Sequence, residues 1–188
     1  YILNYTDYSG KYKYAYAGSN IYVVYIIPLA LNRVIPQLGN EFVLGYTSFM
    51  TQQEALSILK TGANVFLTGE PGSGKTYTIN QYVAYLRSHG IEPAITASTG
   101  IAATHISGMT IHSWSGIGIK QNLSQYDLDR IAGNERAVRR IGRAKVLIID
   151  EVSMLSAQTL GMVDAVCREI RFPDKPFGGL QVVLVGDF

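Results

Sequence analysis

The stretch NVFLTGEPGSGKT, residues 64–76, decides the fold. Its first part, 64–68, is a short apolar run of the kind that forms a buried strand. Its second part, Gly69-Glu70-Pro71-Gly72-Ser73-Gly74-Lys75-Thr76, has the spacing GxxxxGK followed by Ser or Thr. At an ordinary glycine frequency of about 7%, that coincidence arises by accident in roughly one chain of this length in a hundred. The context sharpens it, because a helical pattern follows over 75–89 and Gly90 closes it. Such a loop has a physical purpose. Glycines let the backbone wrap around phosphates, and the helix behind presents free N–H groups and the positive end of its dipole. Gly69, Gly72, Ser73 and Gly74 supply the cradle, Lys75 reaches the β- and γ-phosphates, and Thr76 offers a hydroxyl to Mg²⁺.

Outward from this loop the pattern alternates. Residues 51–60 read as a short helix, 93–97 as a second strand, and 98–114 as loop with a short helix. Residues 135–144 read as a basic helix, 145–149 as a third strand, 156–171 as an amphipathic helix and 181–185 as a fourth strand. Continuous apolar strands separated by helices predict an α/β fold: a parallel sheet with helices on both faces, the P-loop NTPase arrangement. The strand VLIID ends on Asp150, followed by Glu151. A carboxylate at the C-terminal end of a parallel strand stands where such sheets bind ligands. Asp150 is therefore expected to partner Mg²⁺, and Glu151 to orient and deprotonate an attacking water. The competing reading is a solvated acidic pair capping the next helix.

The 188 residues carry a net charge of +2 and are 47% hydrophobic, which excludes global disorder and a wholesale basic nucleic-acid coat. Cys167 is the only cysteine, so an internal disulfide and a Cys-based zinc site are excluded. A reducing compartment is expected: cytoplasm, or nucleus or mitochondrion in a eukaryote. Residues 1–46 differ from the rest, holding nine of the 13 tyrosines. The apolar run 21–31 contains Pro28 and is shorter than the ~20 residues a membrane helix needs. Three readings fit this segment: a small β appendage, an anchor, or translated sequence outside the working protein. Met50, just before the first well-patterned segment, favours the third. The expected division is thus 1–46, set apart, and 47–188, an incomplete nucleotide-binding domain. The start at Tyr1 and the close at Phe188, just after an apolar strand, read as a piece of a longer protein.

Further blocks carry a resemblance. ASTGIAA (97–103), GMTIHSWSGIG (108–118), IDEVSML (149–155), the stretch 168–181 with PFGG at 176–179, and GDF (186–188) follow the phosphate loop. In this order they resemble the first RecA-like motor domain of the petite-integration-frequency (PIF) helicases, in the RecD-like branch of superfamily one. The resemblance implies a DNA-stimulated ATPase that moves 5′ to 3′ on single-stranded DNA and opens duplex junctions, with ATP and Mg²⁺ as cofactors and no membrane partner. It implies an adenine-reading glutamine before the first helix, which Gln52 fits best and Gln53 second. It places Thr99, His112, Ser113 and Trp114 in blocks that contact single-stranded DNA. Hydroxyls and imidazole suit phosphate and sugar, and an aromatic ring can stack on a base. A core position for Trp114 and a buried hydrogen-bonding role for His112 compete with this. Arg136, Arg139, Arg140 and Arg143 form a basic cluster read as a solvated helix face in preference to a DNA contact. The PFGG block speaks against an exonuclease-associated motor of the RecD type. A P-loop kinase and a non-catalytic nucleotide-binding module are the remaining alternatives.

Overall fold

A computed structural model of the chain describes residues 2–6, 12–16, 22–26, 49–106 and 108–187. The main sheet has the order β4-β3-β5-β9-β8-β6-β7. Five of its strands run parallel: β5 (Val65–Gly69), β9 (Gln181–Val185), β8 (Val146–Asp150), β6 (Ala94–Ala97) and the two-residue β7 (Met109–Thr110). Beside β5 lie β3 (Tyr22–Ile26) and then β4 (Phe49–Met50), each antiparallel to its neighbour. A separate antiparallel pair joins β1 (Ile2–Thr6) to β2 (Tyr12–Tyr16). The main sheet thus draws β3 from before the boundary expected at 46/47. Weak alternation hid these strands in the sequence.

The four predicted parallel strands are present with edges shifted by a residue at most. Strand β8 shows why they read as unbroken apolar runs. Leu147 and Ile149 belong to one core, while Val146 and Ile148 belong to another on the opposite face. Helices α1 (Gln52–Lys60) and α2 (Lys75–Ser88) cover the second core through Leu59, Ile79, Tyr82 and Val83. The first core is covered by α4 (Ile111–Ser115), α5 (Gln125–Ala132), α6 (Glu135–Arg143) and α7 (Ala157–Ile170), with Ile111, Ile131, Ile141 and Val163 pointing inward. Between β6 and β7 lies the short α3 (Gly100–His105). Among the described residues no helix is long and apolar enough to cross a membrane.

The first helix starts where its sequence says it must. Thr51 and Glu54 form a reciprocal capping box, each side chain accepting the other's backbone N–H. Sequence reasoning passed over α5, whose apolar face is short, although Ser124 and Asp127 make the same box there. Asp127 also pairs with Lys120, and these hydrogen bonds hold its carboxyl down at about 2.

The PFGG block forms a tight turn after α7. Phe177 is buried with φ 47° and Gly178 has φ 58°. The Phe177 N–H donates to the Asp164 carboxylate, which also pairs with Arg168. Arg171 donates to the Gly178 carbonyl and to those of Ile141, Gly142 and Ala144, tying the turn to the C-terminal end of α6. A methyl group on Gly178 would lie 2.4 Å from the Cys167 carbonyl oxygen, so only glycine fits. Gly161, exposed in mid-α7, has nothing within 4 Å of the equivalent position. Gly178→Ala should therefore cost about 2 kcal/mol or more. Gly161→Ala should instead stabilise by about 1 kcal/mol. Urea unfolding of the two variants checks both signs.

Candidate nucleotide site

The loop leaves β5 at Gly69 and enters α2 at Lys75. Gly72 and Gly74 have φ 81° and 93°, which side-chain-bearing residues rarely adopt. Gly74 is the N-cap of α2 and has no capping side chain. The first turn of the helix is thus left without a side-chain cap, as an anion site requires. Lys75 curls back over the loop that precedes it. Its ammonium donates to the carbonyls of Gly69 (2.7 Å) and Glu70 (3.2 Å) and pairs with Asp187 (2.6 Å). Ser73 is buried, and its carbonyl accepts from Gln52 Nε2 at 3.3 Å. Gln52 therefore lies against the loop, while Gln53 is exposed.

Asp150 ends β8 beside Ala97 of β6, and its backbone carbonyl accepts from Ser98 N–H at 3.2 Å. Burial pushes its carboxyl above the ordinary range, opposed by the Glu151 N–H bond at 2.9 Å and by Lys75, and reinforced by Asp187. Thr76 and Asp150 line one small cavity at this edge. A hydroxyl and a carboxylate are hard oxygen donors, the set Mg²⁺ takes when phosphates and water complete its shell. Glu151 is exposed and holds φ 53°, a left-handed conformation unusual for glutamate. Departures of this kind concentrate at functional turns. The Ser98 hydroxyl, buried nearby, has no hydrogen-bond partner among the described residues. Sequence reasoning passed over it, as it did Asp187's contact with Lys75. Ser98 stood within the quoted ASTGIAA block and just past the end of a parallel strand, but was given no role.

The residues expected to meet DNA part company. His112 is half-buried and Ser113 exposed, and both line an open groove with Thr110, Lys120 and Gln158. Thr99 caps α3, its hydroxyl accepting from Ala102 N–H. Trp114 is the correction. It is 2% exposed and belongs to the core beneath α4, so its ring has no free face to stack on a base. The solvated-face reading of the arginines is corrected at one position. Arg140 donates to the carbonyls of Ser113 and Trp114, while Arg136, Arg139 and Arg143 are exposed.

A family profile described as PIF1-like helicase matches residues 49–188. The chain belongs to that family. It is 58% identical over 139 residues to the ATP-dependent DNA helicase Pif1 of Psychrobacter sp., covering 74% of this chain and 21% of that protein. Its fold matches the crystal structure of Pif1 helicase from Candida albicans with a TM-score of 0.69 and 36% identity, over 73% of this chain and 32% of that one. It also matches a Bacteroides Pif1 helicase in complex with ADP-AlF3 and single-stranded DNA (TM-score 0.63, 34% identity, 72% and 31% covered). The chain thus spans about a fifth of the length of the curated relatives it matches. The expected RecA-like sheet is the fold these structures share with it.

Two outcomes follow from burial. Trp114→Ala should destabilise the fold by about 3–5 kcal/mol, read by urea unfolding. Reduced DNA affinity with unchanged stability would return the ring to a stacking role. For Asp150 the folded value lies above the unfolded one, so ionisation costs stability as pH rises through that window. Asp150→Asn should raise the melting temperature at pH 7, and the gain should vanish on acidification below the ordinary value of 3.8.

Proposed function

We propose that residues 49–188 form the nucleotide-binding motor domain of an ATP-dependent DNA helicase that moves 5′ to 3′ on single-stranded DNA and opens duplex junctions. The observation that carries this reading is the convergence of the Gly69–Thr76 loop with Asp150 and Glu151 at one sheet edge, in a chain of the PIF1-like family. The Psychrobacter relative's name gives ATP dependence and helicase action. The Bacteroides complex contains ADP-AlF3 and single-stranded DNA.

In this reading the amides of the loop and of the first turn of α2 bind the β- and γ-phosphates, and Lys75 offsets their charge. Gln52 reads the adenine. Thr76 and Asp150 hold Mg²⁺, which when bound screens the phosphate oxygens. Glu151 accepts a proton from the attacking water and aligns it with the γ-phosphorus. His112, Ser113 and Thr99 contact the sugar-phosphate backbone of the single strand. We further propose that this domain is one half of a two-domain motor, because stepping needs two bodies that close around ATP and open after hydrolysis. The segment before residue 47 supplies none of these side chains, although its strand β3 pairs with β5 in the main sheet.

The test is the pairing of two variants. Lys75→Ala should abolish ADP binding by the 188-residue chain and ATP turnover by the complete protein. Glu151→Gln should retain nucleotide binding and lose DNA-stimulated phosphate release, since an amide is a poor base. Near-normal hydrolysis by Glu151→Gln would remove Glu151 from the role of base. Phosphate release indifferent to single-stranded DNA would favour a kinase-like alternative.

A further inference from the structure

An ammonium has three protons to donate. All three of Lys75's have acceptors within the chain: Gly69 O, Glu70 O and the Asp187 carboxylate. A phosphate oxygen can reach this ammonium only if one of the three yields. The carbonyls of Gly69 and Glu70 are fixed, because they belong to the loop itself and the Ser73 N–H donates to Glu70 O at 3.0 Å. Asp187 is different. Its side chain is 52% exposed against 14% for Lys75, and it stands two residues past the end of β9. It therefore has solvent to swing into, while the lysine has little.

The placement of Asp187 is built by the sheet. Leu67 and Val185 are partners in the parallel register, and the Gly186 N–H donates to Leu67 O at 3.2 Å. One step further on, Asp187 comes level with the start of the phosphate loop. A Cβ on Gly186 would lie 3.1 Å from the Val152 nitrogen, so glycine lets this strand end approach the turn after Glu151. Asp150, already burdened by burial, also feels the negative charge of Asp187. Lys75 is thus paired with Asp187, with the buried carboxylate of Asp150 close by, at the point where further negative charge is to arrive.

We propose that Asp187 is the resident counter-ion of Lys75, exchanged for a phosphate oxygen when nucleotide binds, and that it thereby sets nucleotide affinity. This rests on the nucleotide-site reading above. Asp187 acts through Lys75 and is a positioning residue. The exchange swaps one anion for another, so no bond is made or broken and no proton moves.

The experiment has two arms on the 188-residue chain. The first uses no nucleotide: hydrogen exchange of the Lys75 ammonium is followed by NMR of side-chain ammonium groups. Asp187→Asn should speed it several-fold, and Asp187→Glu should restore slow exchange. Unchanged exchange in Asp187→Asn overturns the pairing. The second arm measures ADP affinity by titration calorimetry. Asp187→Asn should bind about three- to tenfold more tightly, the range expected for releasing a partly exposed ion pair and its repulsion. Equal or weaker affinity in Asp187→Asn, while the unaltered chain binds ADP, overturns the proposal alone. Absence of binding by both chains overturns the nucleotide-site reading and this proposal together, while the exchange arm still decides whether the ion pair exists.

Discussion

Apolar strands buried on both faces present a problem of register. A half-exposed strand that slips by one residue turns its apolar side to water, but β8 and β9 are apolar on both sides and feel little such penalty. Here the register is held by polar side chains with defined partners. Gln181, at the start of β9, donates to the carbonyls of Leu59 and Ala63 and accepts from the Tyr82 hydroxyl. Asn64 accepts from the Val182 N–H, and the Thr96 hydroxyl donates to Ile148 O in the interior. A slip would leave these groups unpaired in a dry environment, at a cost of about 1–3 kcal/mol each. The alignment of Gly69, Asp150 and Asp187 at the opposite edge depends on it.

The two edges of the sheet therefore differ in character. At the edge where the strands begin, polar groups are satisfied and lock the layers together. Tyr82 is typical, its hydroxyl pushed up to about 12 mainly by burial. At the edge where they end, Asp150 is buried against its preference for water, Glu151 holds an unfavourable backbone conformation and Ser98 keeps an unmatched hydroxyl. Such tension is sustained only because the rest of the layer over-determines the geometry.

Much of this was legible in the sequence, for reasons tied to particular residues. The loop at 69–76 shows itself because its glycines, lysine and threonine form a fixed spacing, and Gly72 and Gly74 adopt backbone angles that side-chain-bearing residues rarely take. The strand ending on Asp150 shows itself because an apolar run that stops on a carboxylate is rare chemistry. By contrast, Trp114 was ambiguous, since stacking on a base and filling a core demand the same ring, and only its burial separates them. Arg140 and Arg171 were equally opaque. They bind backbone carbonyls, and a carbonyl leaves no mark on the sequence of the segment that offers it. The pairing of Lys75 with Asp187 spans most of the domain and follows from register, which apolar strands do not display.

The position of β9 also bears on how the protein is made. It is the last of the described strands to leave the ribosome, yet it lies between β5 and β8. Until residues 181–185 emerge, the nascent chain holds two partial layers that share no strand pairing, each with an open edge of unpaired N–H and C=O groups. Long-range pairing of this kind is slow and leaves such edges open to wrong partners. The phosphate loop, at the tip of β5, is complete in sequence about a hundred residues before its supporting strand exists. The loop thus gains its neighbouring parallel strand only at the moment when the central strand closes the sheet.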